Sequence, residues 1–238
     1  MSKFPFQRLQ SELAVLIAET PAGERLPSEP KLAKNLGVSR ATLREAMRTF
    51  EAQGLIRRRQ GAGTFVVGQV SVLESGLEVL ESLDTIAQRL NLEITVSDLR
   101  IEKLYANQEQ ADGLKLPVAS NLISVRRVIR ADGHPVAYLE DTLPENFLDP
   151  GDLPRDFNGS VLDYLIARST PLTISRTAIS AVGATAEIAR VLEIQREDVL
   201  LKFTSQLFIA DGSVVDYTVS NFIPGYFNFH IIRRIGNS

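Results

Sequence analysis

"LGVSRATLREAMRTFEAQGLIRRRQGAGTFV", residues 36–66, is the stretch that decides the fold of the front of this chain. Leu43, Ala46, Met47 and Phe50 recur at helical spacing, which predicts a helix with one buried face. Ser39 stands where a cap opens it and Gly54 where it ends. Arg40, Thr42, Arg44 and Arg48 lie off the apolar stripe. After Gly54, "GLIRRR" reads as a strand, "QGAG" as its turn and "TFVV" as the return strand. Toward the N-terminus, "LPSEPKLAKNLGVS" holds a second helix that Ser28 can cap, with Leu32, Ala33 and Leu36 inward and Gly37 as a left-handed stop. Phe6, Leu9, Leu13, Leu16 and Ile17 mark a first helix over about residues 6–19, ended by Pro21 and Gly23.

Two short helices meeting across Gly37-Val38 have helix-turn-helix spacing, in which the second helix is the one offered to the major groove. With the hairpin the unit is a winged helix; the alternative is a solvated charged helix followed by an ordinary hairpin. An Arg near the start of the third helix can reach guanine O6/N7, a bidentate pair worth about 1–3 kcal/mol of discrimination. Arg57, Arg58 and Arg59 can contact phosphate, and Gly61 and Gly63 let backbone approach a duplex closely. Charge agrees with this reading. Residues 1–68 carry 11 Lys and Arg against 6 Asp and Glu, a net of +5, while the remainder carries 15 against 23, a net of −8. A basic front part meets a polyanion and the back part does not.

The totals bound the rest. A chain of 238 residues, 44% hydrophobic and 23% charged, can bury the cores of one large or two ordinary domains. The absence of cysteine excludes disulfides and thiolate metal sites. The two histidines, His134 and His230, do not suggest a metal centre. Neither a Ser/His/Asp order nor a phosphate loop nor a close carboxylate pair in a general-acid setting stands out, so no catalytic residue and no cofactor are expected. No run approaches the roughly 18 apolar residues of a membrane span, and "MSKFPFQRLQSEL" lacks the apolar core of a signal peptide, so a cytoplasmic location is expected.

From Ser71 the pattern changes. Leu73, Leu77, Leu80, Leu83, Ala87 and Leu90 predict an amphipathic helical connection. Beyond it "IRADGHPVAYLEDTLPENF" and "FIADGSVVDYTVSNFIPGYF" repeat Ala-Asp-Gly, Val and Tyr at a spacing of 79 residues, each Asp-Gly between period-two strands. The likeness extends upstream, so each copy reads strand, helix, strand, hairpin, strand. Two copies make one antiparallel sheet of about six strands with helices on a face and pseudo-twofold symmetry. Between them lies a helix capped near Ser160, with Val161, Leu162, Leu165 and Ile166 inward.

The front stretch, "LPSE" followed by "VSR" and a Gly-rich wing, resembles the DNA-binding domain of the GntR family of bacterial transcription regulators over about residues 6–67. The resemblance implies Arg40, Thr42 and Arg44 as recognition-helix contacts and Gly61 and Gly63 as the wing tip; Ser28, Ser39, Arg48, Arg58 and Thr64 complete the expected DNA-facing set. Pro30 stands where the family often has an Arg, so that contact is lost or passes to Lys31. The back part, through "RADGHPVAYLEDTLP", "NGSVLDYL" and "VVDYTVSNF", resembles the UTRA effector-binding domain of the HutC subfamily, an α+β domain of chorismate lyase-like fold. The expected organisation is a winged helix-turn-helix domain over 1–68, a linker with an amphipathic helix over 69–92 and a UTRA-like domain over 93–238.

In family members that bind phosphosugars, the resemblance places the ligand among a loop serine, an R-x-R pair, a Ser-x-Tyr and a glutamate. Here the R-x-R positions are Arg127 and Ile129, and the Ser-x-Tyr positions are Ser160 and Leu162. The loop serine falls near Ala87, with Thr85 as a substitute, and the glutamate is Asp216. Several anion-binding places are thus apolar, so the expected effector is not a typical phosphosugar, or is held differently, in the same pocket. Tyr138 and Tyr217, equivalent in the repeat, complete the candidate set as core residues or ligand contacts.

The expected function is a ligand-responsive transcription regulator, a repressor by family habit, binding a palindromic operator as a homodimer. Two alternatives stand beside it: an enzyme whose lyase-like back domain carries an accessory DNA-binding domain, and a DNA-binding protein that takes no ligand.

Overall fold

The computed structural model describes residues 4–21, 23–52, 55–59, 62–66 and 73–232. The expected helix stop at Gly54, the wing-tip Gly61 and the terminal Arg233 and Arg234 lie outside the described residues. The chain forms two compact units, the first from residues before 73 together with Pro224–Tyr226, the second from Leu73–Ile223 and from Phe227 onward.

In the first unit, α1 (Phe4–Glu19), α2 (Glu29–Asn35) and α3 (Arg40–Ala52) precede a hairpin of β1 (Ile56–Arg59) and β2 (Gly63–Val66). The apolar stripe of each helix turns inward: Leu9, Leu13, Leu32, Leu43, Ala46 and Met47 are buried in one cluster with Ile56 and Val66 of the hairpin. Gly37 takes the left-handed conformation, with φ +65°, and so turns the chain between α2 and α3 at no cost from a side chain. Ser28 occupies the position before α2 as expected, but its hydroxyl makes no capping bond. Its carbonyl instead accepts the Leu32 amide at 2.8 Å. Arg25 forms an isolated antiparallel bridge with Phe65 of the hairpin, a pairing that alternation does not reveal. The Leu26 amide donates to the Thr64 carbonyl and the Val66 amide to the Glu24 carbonyl, both at 2.8 Å.

The second unit is built on a six-stranded antiparallel sheet. Its strands are β4 (Ile94–Tyr105), β5 (Asn121–Ala131), β6 (His134–Pro144), β7 (Leu172–Gly183), β8 (Val199–Ile209) and β9 (Val214–Phe222), in the order β4-β5-β6-β9-β8-β7. That order is what two copies of strand, helix, strand, hairpin, strand give when their last strands pair. Glu140 and Val219, equivalent in the repeat, also pair with each other across β6 and β9, which places the pseudo-twofold axis between them. The first Asp-Gly turn has positive φ at both residues, +49° at Asp132 and +74° at Gly133, as a two-residue hairpin between right-twisted strands requires.

Helices cover both faces rather than one. α5 (Gln108–Leu114) packs with Leu122, Val214 and Tyr217, and α7 (Ala186–Val191) with Val128 and Leu200. Ile123 and Val125, which point the other way from β5, pack with α6 (Val161–Ala167). The expected amphipathic helix from Leu73 to Leu90 is a correction. Leu73–Gly76 is a strand, β3, paired in parallel with β10 (Phe227–His230), and only Leu83–Arg89 is helical, as α4. Ser82 caps α4 by accepting the Thr85 amide, so the leucine spacing that resembled one helix is shared by a strand, a bend and a short helix.

Candidate functional site

Two surfaces hold the residues singled out above, one in each unit. In the first, α3 presents Arg40, Thr42, Arg44 and Arg48 to solvent. Its first turn is closed by Ser39, whose Oγ accepts the Thr42 amide at 3.1 Å and bonds the Thr42 hydroxyl at 2.8 Å. Arg44 Nε donates to Glu29 Oε2 at 2.7 Å, so the "E" of LPSE orients a side chain on the exposed face of α3. Ser28 and Lys31 are also exposed, beside Pro30 at the start of α2.

The hairpin departs from expectation at two residues. Arg58 does not reach outward: its Nε lies 3.7 Å from Glu29 and 3.7 Å from Glu51, and its side chain is only 21% exposed. Thr64 is buried. The Arg58 side chain ties the hairpin to α2 and α3. Gly63, with φ +117°, sits against the Arg25 guanidinium, which occupies the space a Cβ would take. Exposed Arg25 is the basic residue that the sequence reading missed; its only signal was a lone Arg in a Gly-Glu-Arg stretch.

In the second unit, one face of the sheet floors a cavity of about 850 Å³. Strand register puts Arg127, Leu139, Ser220, Phe203 and Ile179 in one row across the sheet, and all five line the cavity. In the next row stand Asp141, Thr218, Ser205 and Thr177. Residues 75–83 and α6 supply further walls, with Leu162 and Ile166 contributed by the helix. Gly159, just before α6, takes φ +91° and packs on the Arg127 side chain; a Cβ there would come within 2.7 Å of Arg127 Cδ.

Of the six candidate effector residues, Arg127, Ser160 and Asp216 line the cavity. Tyr138 and Tyr217 belong to the opposite face, packed with α7 and α5 respectively. Burial and the neighbouring Glu109 carboxylate, which accepts the Tyr217 hydroxyl at 3.2 Å, push that phenol up to about 12. Thr85 is not among the lining residues; Ser82, its capping partner, is. Ser82 is therefore a cavity serine of that loop, five residues before Ala87, the place counted from sequence, and three before its substitute Thr85.

The charged floor is a network rather than a pair. Arg127 Nη1 donates to Asp141 Oδ2, with both side chains buried. The Thr218 hydroxyl lies 3.0 Å from Asp141 Oδ1 and 2.9 Å from Asp216 Oδ2. Burial and the Asp141 charge drive the Asp216 carboxyl well above the usual carboxylate range, against the opposing effects of Thr218 and Arg127. Asp84 on α4 is raised as well, first by burial, with Arg127 pulling it back. Asp141 and Thr218 were missed from sequence, because nothing along the chain shows the register in which β6 and β9 pair.

Comparison with known proteins agrees with both units. Residues 7–66 match the model of the gntR family of bacterial regulatory proteins and residues 89–228 match the UTRA domain. The histidine utilization repressor of Pseudomonas putida is 30% identical over 176 residues, 74% of this chain and 70% of that protein. The repressor NagR of Bacillus subtilis is 25% identical, over 88% of this chain and 86% of that protein. The crystal structure of PhnF from Mycobacterium smegmatis shares the fold with a TM-score of 0.65 at 20% identity, covering 96% of this chain and all of that one. The chain belongs to the gntR family of bacterial regulatory proteins, in its HutC-type branch with an effector-binding UTRA domain: it is a DNA-binding transcription regulator and not an enzyme.

Proposed function

We propose that the protein is a cytoplasmic repressor that binds a palindromic operator as a homodimer and takes a small metabolite in the cavity of its second unit. The repressor reading follows the relatives, which are named as repressors of histidine utilization and as NagR. α3 reads base edges through Arg40, Thr42 and Arg44, and Lys31 and Arg48 add contacts beside it. Each subunit of a twofold dimer takes one half-site. The metabolite changes operator affinity by its differential affinity for two arrangements of the dimer. The observation that carries the effector reading is the 850 Å³ cavity floored by polar groups in apolar walls. Its Arg127 is already paired with Asp141, and the companion R-x-R position is the buried Ile129, so a typical phosphosugar is not the ligand.

The test is fluorescence anisotropy of the full chain on DNA from upstream of its own gene and on a scrambled duplex, over a salt series. Phosphate neutralisation makes both affinities fall with salt, and only their difference reports base reading. A gap of roughly a thousandfold or more supports the reading, and equal weak binding to both counts against it.

A further inference from the structure

We propose that the cavity takes a small organic cation, a primary amine on an apolar or aromatic body, with the ammonium group held by Asp141 and Asp216. The inference rests on the effector reading above and names the chemistry of the ligand. Among the described residues four acidic side chains line the cavity, Glu78, Glu81, Asp141 and Asp216, against one base, Arg127. That base is ion-paired with the buried Asp141 through Nη1 and keeps a single unpartnered buried donor, Nε, so a phosphate or carboxylate would meet one N–H with its charge already compensated, and a surplus of negative charge.

Asp216 supplies the independent observation. It is only 4% exposed, its Oδ1 has no hydrogen-bond partner, and its Oδ2 lies 2.9 Å from the Thr218 hydroxyl, with the Asp141 carboxyl beside it. An ammonium brings three donors and no acceptor, the complement of such a floor. Phe203, Phe222 and Phe229, with ring centroids 4.6–5.1 Å apart, offer an apolar and π-rich wall for the body of the ligand.

The charges facing this site come from every element around it. Arg127 stands on β5 and Asp141 on β6, and Asp84 on α4 and Asp163 on α6 lie close to each other with Arg127 near Asp84. Glu81 pairs with Arg89 at 2.8 Å, while Glu78 accepts the Ile232 amide and faces His230. In this setting burial and Asp141 raise the proton affinity of Asp216. An ammonium entering between the two carboxyls favours the carboxylate form of Asp216, so a proton held there leaves to solvent.

The experiment is isothermal titration calorimetry of the full chain near neutral pH, in two buffers of different ionisation enthalpy. The probes are four amines, 2-phenylethylamine, tyramine, cyclohexylmethylamine and agmatine, and two anions, 3-phenylpropanoate and glucose 6-phosphate. At least one amine is expected to bind roughly tenfold or more tighter than either anion, with release of up to about one proton. Asp216→Asn is expected to abolish the proton release and to weaken that amine by about tenfold or more. The proton count on the unaltered chain decides the matter even if the variant misfolds. Anions binding while all four amines fail would overturn the cation and leave the effector reading standing. Silence from all six, with operator affinity unchanged by any of them, would overturn both.

Discussion

Arg44 and Arg58 share one carboxylate, Glu29, yet their surroundings assign them different work. Arg44 is held by a 2.7 Å bond but its side chain stays 62% exposed, so it is oriented without being hidden. Arg44→Ala is expected to weaken operator binding by about 1–3 kcal/mol and to relax base preference. Arg58, enclosed by Glu29 and Glu51, should act differently from the phosphate contact expected from sequence. Arg58→Ala should lower the melting temperature while leaving the salt dependence of DNA binding unchanged; a slope reduced by about one would return it to the phosphate-contact role. Asp216 makes a third residue-level case. Its folded-state proton affinity is raised, so its contribution to stability is fully present below the ordinary carboxylate value, about 4, and is lost as pH rises through the folded value. Asp216→Asn, neutral throughout, should flatten that decline in melting temperature. A decline of the same size in the variant would assign the titration to another group.

At the scale of elements, the hairpin of the first unit depends on a glycine for a reason different from the one its sequence suggests. Gly63 reads as a place where backbone meets DNA, and the structure adds that φ +117° and the Arg25 side chain leave no room for a Cβ. Gly63→Ala should therefore destabilise the first unit by about 1–3 kcal/mol, a combined cost of backbone strain and displaced side chain. Chemical denaturation checks it, and an unchanged midpoint would mean that Arg25 moves aside freely. Element types were largely legible because apolar period carries them: α1, α2, α3 and the repeated strands follow their hydrophobic spacing. The stretch Leu73–Leu90 was not, since leucines three to four apart also fit a strand whose partner, β10, lies some 150 residues later in the chain. Pairing at that distance leaves no local trace.

For the whole molecule, the prediction concerns assembly. A twofold dimer on a palindrome should bind the full operator far more tightly than a half-site, because the second headpiece binds at an effective concentration set by the first. Sedimentation of the free protein together with anisotropy on full and half operators checks it, and equal affinity for both would argue for independent monomers.

The sequence by itself determined the basic helix pair with its hairpin, the internal duplication and therefore the six-stranded sheet, because Asp-Gly turns and apolar period act over a few residues. Through its resemblance to the UTRA domain it also marked Arg127, Ser160 and Asp216. Only the tertiary structure decided which groups share the cavity. Asp141 and Thr218 reach Asp216 across the β6–β9 pairing, Ser82 enters in place of Thr85, and Tyr138 and Tyr217 turn to the other face. The reason is the alternation of side chains along a strand. Whether a residue floors a cavity or backs onto a helix depends on register with strands far away in sequence, and register is settled by the packing of the whole sheet.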